Sequence, residues 1–374
     1  MHTSDWQLGM TRAFMPAESR ARYADDQIEA VRAIARVAAE RECAFVVVAG
    51  DVFDSITPDR RVLNRAFDAL MSFTVPVYLL PGNHDAYSPA SFWWSVGMID
   101  RMPALVTVLR DTSLVRVPGV DAEVIGAPWP SRHPDSDLVS AALEKLDPID
   151  SGGVRIAVGH GGVDSLAPDR LDPDLISASR LERALGEHLA SYVALGDRHS
   201  VTKISDAVWY SGAPIATDYR EVDANKALIV EVGSSGVVVE PVQIGGWRFL
   251  VETFDVTGQD SLSVVEAFLA GITDKERAVV KLGFVGTVSL STNAKLEELL
   301  ERYRDLLAAL ELSERRSDLV VVADDDDLSS LDLSGFAQSA LSHLAEIAAG
   351  KSDEADIATD ALMLLRRLAT GRSR

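Results

Sequence analysis

Three shortages bound this 374-residue chain: one cysteine, no long apolar run and no excess of positive charge. A single thiol, Cys43, excludes a disulfide within the chain and fits a reducing cytoplasm. Cys43 has no base beside it in the sequence and precedes an apolar run, so it reads as a small buried residue rather than a nucleophile. No apolar stretch approaches the roughly 18 residues of a membrane span, and no signal peptide precedes the first motif. The sequence therefore reads as cytoplasmic, with no membrane partner. Cations are outnumbered: 36 Lys and Arg face 57 Asp and Glu, a formal net charge of −21. That balance excludes nucleic-acid binding through a general basic surface. If the substrate is a phosphodiester, bound cations or a partner must offset the repulsion.

The composition is otherwise that of a globular chain, 47% hydrophobic and 25% charged, and it is long enough for two domains. Its organising stretch is Val46-Val47-Val48-Ala49-Gly50-Asp51-Val52-Phe53-Asp54, followed by Pro81-Gly82-Asn83-His84-Asp85. Each is an apolar run that ends in a turn bearing a carboxylate, amide or imidazole. A short apolar run closed by Gly-Asp reads as a buried parallel strand opening into a crevice. One such turn alone is equally well a helix cap. Helical spacing over residues 24–42 and 57–72 alternates with strands at 45–49 and 75–80, which predicts a layered α/β fold. Residues 91–101 read as a helix whose Phe92, Trp93 and Trp94 pack inward. Stretches 105–109, 114–117 and 122–125 read as a strand meander. Further strands are expected at 154–158, 192–195, 201–204, 207–210, 226–232 and 236–242, with a helix over 175–189 whose His188 lies at the surface.

Gly245-Gly246 marks a boundary. The expected domains are 1–245, a smaller β-α-β-α-β unit over 246–323, and a helical segment over 324–374 that could receive a partner. In the second unit strands are expected at 247–256, 278–284 and 319–322, with helices over 261–270 and 292–310. Asp324-Asp325-Asp326-Asp327 reads as a solvated linker, and helices are expected over 334–349 and 355–369.

Five strand ends offer, in order, Asp5 and Gln7; Asp51; Asn83 and His84; His160; Asp197 and His199. In open α/β sheets ligands sit at the carboxyl ends of strands. Mixed carboxylate, imidazole and amide donors suit Mn²⁺, Fe²⁺ or Zn²⁺, with Mg²⁺ possible, and their number suits two ions. Two ions about 3.5–4 Å apart suit in-line phosphoester hydrolysis, with Asp51 the natural bridging carboxylate. Almost nothing precedes His2 to form the strand that should present Asp5, so that strand is expected to be very short, unless the true start lies upstream.

The series Asp5, Gly50-Asp51, Gly82-Asn83-His84-Asp85, Gly159-His160 and Gly196-Asp197-Arg198-His199 resembles the calcineurin-like metallophosphoesterase family. His2-Thr3-Ser4-Asp5-Trp6, Gly50-Asp51-Val52-Phe53-Asp54 and Tyr210-Ser211-Gly212-Ala213-Pro214 resemble its SbcD branch, the DNA repair exonucleases. The likeness covers residues 2–245, and the following unit is similar to that branch's capping domain. It implies a four-layer αββα sandwich with two facing sheets. It gives one ion to Asp5, Gln7, Asp51 and His199, and the other to Asp51, Asn83, His160 and Asp197. His84 would protonate the leaving oxygen, oriented by Asp85. DNA ends, an SMC-type ATPase (SbcC-like) and a second copy of the chain are the implied partners. Two positions depart from the family pattern: its Asp-x-His is Asp5-Trp6-Gln7 here, and its Gly-His-x-His is Gly196-Asp197-Arg198-His199. Both changes move the donor set from nitrogen toward oxygen, hence toward Mn²⁺ or Mg²⁺. The expected function is a metal-dependent DNA exonuclease, 3′ to 5′ and also endonucleolytic on single strands. The alternatives are a small-molecule phosphodiesterase or phosphatase, and a non-catalytic scaffold with a lapsed metal site.

Overall fold

The computed structural model describes residues 1–95, 97, 101–149, 152–167, 172–322, 336–348, 350 and 353–369. It divides into two compact units, Met1–Trp247 and Arg248–Arg374. In the first, β1 is only His2–Thr3. It is followed by α1 (Ala17–Glu40), β2 (Val46–Val48), α2 (Arg60–Leu70), β3 (Val77–Leu79) and β4 (Val106–Val108). Helix α1 forms because Ile28, Val31, Ile34, Ala35 and Ala38 recur at helical spacing and bury one stripe. Asp59 caps α2 by accepting the Arg61 N–H at 2.7 Å. Strands β1 to β4 are parallel neighbours, and β2 and β3 carry buried apolar residues on both faces. Both helices cover one face of this sheet, with Leu63, Ala66, Phe67 and Leu70 of α2 in the shared core.

Next come β5 (Val115–Arg116), β6 (Ala122–Gly126), α3 (Leu138–Leu143), β7 (Val154–His160), α4 (Ala178–Gly186), β8 (Tyr192–Gly196), β9 (Val201–Ser205) and β10 (Val208–Ser211). They build a second sheet in the order β5-β6-β7-β8-β10-β9, with β6, β7, β8 and β10 parallel. Strands β11 (Lys226–Gly233) and β12 (Gly236–Gln243) then return to the first sheet, which reads β12-β11-β1-β2-β3-β4. The two sheets face each other across Val47, Ala49, Tyr78, Val124, Val158 and Ala194, while α3 and α4 cover the outer face of the second. The result is the four-layer αββα sandwich. At the amino ends of the parallel strands a cavity of about 450 Å³ is lined by Met1, Cys43, Phe45, Val154, Tyr192 and Val230.

The second unit holds β13 (Arg248–Asp255), α5 (Gln259–Gly271), β14 (Ala278–Ser289), α6 (Leu290–Arg304), β15 (Ala309–Leu312) and β16 (Asp318–Val322). All its strand pairs are parallel. The long β14 pairs with β13 on one side, and with β15 and then β16 on the other. Helices α7 (Phe336–Ala348) and α8 (Asp353–Ala369) pack on α6 through Leu290, Leu341 and Leu362.

Three local expectations change. The run 105–125 is no meander: β4 joins the first sheet, and the hairpin β5-β6 joins the second. The helix expected over 91–101 is a single 3-10 turn, Phe92–Trp94, and residues 96 and 98–100 lie outside the described residues. Phe92 and Trp93 pack inward, but Trp94 is half-exposed. The helix expected over 292–310 stops at Arg304, because the apolar Ala309–Leu312 continues as a strand. Cys43 is only half-buried. The acidic run 324–327 lies outside the described residues.

Phe53 is fully buried, edge-on to Phe92 and Trp93 with ring centroids 4.8 and 5.7 Å away. Phe53→Ala should destabilise the protein by about 3–5 kcal/mol, read as a fall in the urea midpoint. Phe336→Ala, at a site 89% exposed, should change it by less than about 0.5 kcal/mol.

Candidate metal centre

Every sequence-predicted donor lies at the carboxyl edge of the sandwich. Asp5 and Gln7 follow β1, Asp51 follows β2, and Asn83 and His84 follow β3. From the second sheet come His160, the last residue of β7, and Asp197 and His199 after β8. The chain is bent sharply here. Of the eight non-glycine residues with positive φ among the described residues, four are Asp5 (53°), Gln7 (44°), Asp51 (52°) and Asp197 (97°). Such strain persists where surrounding bonds fix it. The Asp5 N–H donates to Gly50 O (3.0 Å), the Gln7 N–H to Asp51 O (2.9 Å), and the Asp197 N–H to Asp5 Oδ1 (3.0 Å).

Asp5, Asp51 and His160 are all buried, and their donor atoms lie within 4.8 Å of one another. His160 Nδ1 lies 2.9 Å from Ala49 O. A carbonyl only accepts, so Nδ1 carries the proton and Nε2 faces the centre. There it lies 3.1 Å from Asn83 Oδ1, 3.4 Å from Asp51 Oδ1 and 3.9 Å from Asp197 Oδ1. His199 is held the same way: Nδ1 is 2.7 Å from Glu221 Oε1 and from Thr217 Oγ1, leaving Nε2 toward Gln7 and Asp5. Glu221 in turn accepts the Thr217 N–H at 2.7 Å.

Asp85 does not stand beside the His84 ring. It is fully buried and accepts the backbone N–H groups of Gly82 (2.7 Å) and Phe53 (3.1 Å), tying two strand-end turns together. The carboxylate beside His84 is Asp54, with Oδ1 3.3 Å and its carbonyl O 3.4 Å from Nδ1. His84 Nε2 lies 3.9 Å from Asp51 Oδ2, and its ring is partly exposed. The sequence reading missed Asp54, Thr217 and Glu221. Asp54 lies within the quoted Gly50–Asp54 run, three residues past Asp51. Thr217 and Glu221 follow no strand motif, so no local pattern announced them.

The charges fit a divalent cation. Among the described residues neither Asp5 nor Asp51 has a lysine or arginine partner, though both are buried. Imidazoles carry the balance. Burial opposes charge on His160, but Asp51, Asp5 and Asp197 outweigh it and lift the ring to about 10. Burial likewise opposes charge on His199, and Glu221 and Asp5 lift it to about 9. Burial, with Asp51 nearby, raises Asp5; burial also raises Asp51, but the His160 and His84 charges pull it below its ordinary value. Burial and the Asp51 charge push Asp85 up to about 7. Among the described residues Gln7 Oε1 is buried without a hydrogen-bond partner, which fits an oxygen donor to a metal ion. Its Nε2 lies 3.2 Å from His199 Nε2, and turning the amide over would put the oxygen there.

A family model for calcineurin-like phosphoesterases matches residues 1–201. The chain belongs to that family. Calcineurin-like phosphoesterases are generally metal-dependent hydrolases using divalent ions, in keeping with the Asp5, Asp51 and His160 cluster. The chain is 30% identical over 242 residues to the DNA double-strand break repair protein Mre11 of Archaeoglobus fulgidus, covering 59% of this chain and 51% of that one. It is 24% identical over 266 residues to the SbcD subunit of the nuclease SbcCD of Bacillus subtilis, covering 62% and 65%. The chain thus spans about half the length of the first relative and under two thirds of the second. Among solved structures, TT1561 of Thermus thermophilus aligns over 59% of this chain and 94% of its own, at 12% identity and a TM-score of 0.39.

In EDTA, His160 and His199 hold protons in the folded state that the unfolded chain releases near pH 6.5. Their stabilisation is full below that value and is lost as pH rises through about 9 and 10. The melting temperature in EDTA should therefore fall between about pH 6.5 and 9.5, and saturating Mn²⁺ should reduce the slope. A flat EDTA profile would contradict the charge assignment.

Proposed function

We propose that this calcineurin-like phosphoesterase is a metal-dependent DNA exonuclease. It works 3′ to 5′ on ends and also on single strands, as the nuclease partner of an SMC-type ATPase. The observation that carries this is the convergence of Asp5, Asp51 and His160 beside a partly exposed His84, in a chain similar to proteins named for break repair and for nuclease activity. Asp5, Gln7, Asp51 and His199 would hold one ion, and Asp51, Asn83, His160 and Asp197 the other. Oxygen-rich donors favour Mn²⁺, with Mg²⁺ or Fe²⁺ as alternatives. When bound, two divalent ions polarise the phosphoryl oxygen and offset its charge.

The chain's own residues do the rest. His84 is the proton donor to the leaving oxygen. Its hydrogen bond with Asp54 is the largest influence on its pKa and raises it against partial burial, so the ring keeps its proton to higher pH and is turned by its Nδ1. Asp85 acts one step back, fixing the turn that carries His84 through the Gly82 N–H. Glu221 and Ala49 O fix the tautomers of His199 and His160, so that each presents Nε2. The second unit would serve as the capping domain, α7 and α8 would receive the ATPase, and a second copy would complete a dimer.

End-labelled duplexes with Mn²⁺, Mg²⁺ or EDTA test this. Mn²⁺-dependent shortening should fall to background in Asp51→Asn and by about 10²–10⁴ in His84→Ala, and the label lost first reports polarity. Turnover of a small chromogenic diester without loss from DNA ends would favour a small-molecule phosphodiesterase. No turnover of either by a folded, metal-loaded protein would favour a scaffold.

Asp54→Asn removes the group that lifts His84. An acid must be protonated, so activity declines as pH rises past its pKa. The alkaline limb of kcat/KM should move to lower pH in this variant. An unmoved limb would remove His84 from the acid role.

A further inference from the structure

An acidic nuclease needs local cations wherever a second phosphate must lie. A cavity of about 190 Å³ adjoins the metal centre, sharing Asn83 and Asp197 with it and lined also by Trp129, Arg132, His133 and Asp174. It is smaller than the roughly 300–1,000 Å³ of cofactor sites, a size for one phosphate group.

The loop that carries Arg132 is tied to the centre rather than loose. The Trp129 indole N–H donates to His160 O at 2.7 Å, and its ring stands edge-on to the His160 ring at 5.8 Å. The Trp129 N–H donates to Pro81 O at 3.3 Å, and its carbonyl accepts the Tyr87 N–H at 2.8 Å. Beyond it, Ser131 Oγ donates to His133 O at 3.0 Å and Pro134 is buried. Arg132 and His133 are exposed between these anchors.

We infer that Arg132, with His133 beside it, takes the phosphate adjacent to the scissile one, so that the centre reads two consecutive phosphodiesters. This rests on the nuclease reading above. A guanidinium is charged at every working pH, and its planar fork matches two phosphate oxygens. Asp174 and Asp197 in the same lining make the cavity a poor trap for a free anion. A phosphate tethered to one already held at the centre arrives at high effective concentration and tolerates them. The cavity therefore favours a polynucleotide over a monoester or a diester of small alcohols, which brings no second phosphate.

The test compares the intact Mn²⁺ protein with Arg132→Ala and Arg132→Lys on a labelled single-stranded oligonucleotide and on a small chromogenic diester, with salt varied from about 50 to 200 mM. In Arg132→Ala, the ratio of kcat/KM for oligonucleotide over diester should fall about tenfold, the loss of one charge-assisted phosphate contact. The slope of log kcat/KM against log salt should become shallower by about 0.7, the weight of one single-strand phosphate contact, and Arg132→Lys should restore part of both. A purely structural role would move the melting temperature and leave the salt slope alone. If the parent cleaves the oligonucleotide, and Arg132→Ala keeps both ratio and slope, this inference falls and the nuclease reading stands. If the parent turns over the diester but not the oligonucleotide, or turns over neither, the nuclease reading falls and this one with it.

Discussion

The hydrogen bond from His160 Nδ1 to the Ala49 carbonyl joins the two sheets at their carboxyl edges, and the centre depends on it. Ala49 ends the run of β2 in the first sheet, and His160 ends β7 in the second. The sheets approach this closely because side chains are missing where they meet. A Cβ at Gly50 would overlap the His160 ring, and one at Gly196 would overlap Ala49 O. Gly50 also has φ +90°, a conformation that other residues rarely adopt. A second tie lies deeper: His2 of β1 accepts the Tyr192 hydroxyl at Nδ1 (3.0 Å) and donates from Nε2 to Leu195 O (3.1 Å). Burial pushes His2 down to about 3, so that ring stays neutral and structural, while the two imidazoles at the edge are drawn upward by carboxylates. The same residue type thus serves two roles in one scaffold, and the number of acids in view decides which.

Those acids explain why the centre is strained. Two buried carboxylates without a lysine or arginine partner would be expelled from an ordinary core. Here they are held by backbone: Asp5 accepts the Asp197 N–H, and Asp51 Oδ1 accepts the His84 N–H at 2.9 Å. Each bond crosses from one strand end to another, so the turns carry one another in left-handed conformations. The arrangement costs stability in the chain alone and is the geometry that a cation offsets. The net charge of −21 does not oppose this arrangement, because the balance at the centre is set locally, over a Debye length of about 8–10 Å.

Much of this was legible because strand-end chemistry is a local signal. An apolar run followed by a donor-bearing turn is contained in a few residues, and five such strand ends in order pointed to Asp5, Gln7, Asp51, Asn83, His84, His160, Asp197 and His199 as one group. The four-layer architecture came from family resemblance, since periodicity alone cannot say that β11 and β12 return to the first sheet. What the sequence hid is non-local. Glu221 reaches His199 from an irregular stretch between β10 and β11, where neither period nor motif marks it. Asp85 adjoins His84 in the sequence while Asp54 belongs to the preceding motif, and only the turn geometry assigns Asp54 to the imidazole and Asp85 to the backbone. The junction of β4 with one sheet and β5-β6 with the other was likewise invisible, because short strands read alike whichever neighbour they pair with.

The two departures from the family pattern sit on different supports. Gln7 is locked by its backbone: its N–H donates to Asp51 O, and its carbonyl accepts the Gln27 amide at 2.9 Å. The side chain at this position therefore emerges at one fixed point, beside His199 and buried, whichever residue stands there. Replacing an imidazole by an amide changes the donor without changing its place. Asp197 has a backbone equally fixed by Asp5, but its side chain is 38% exposed, so its carboxylate also faces solvent. A buried neutral amide on one side and a partly exposed carboxylate on the other make the two sides of the centre unequal. The side around Gln7 carries a less basic donor in a fixed place, whereas the side around Asp197 carries an added charge at the rim, in the lining of the cavity that also holds Asn83 and Arg132.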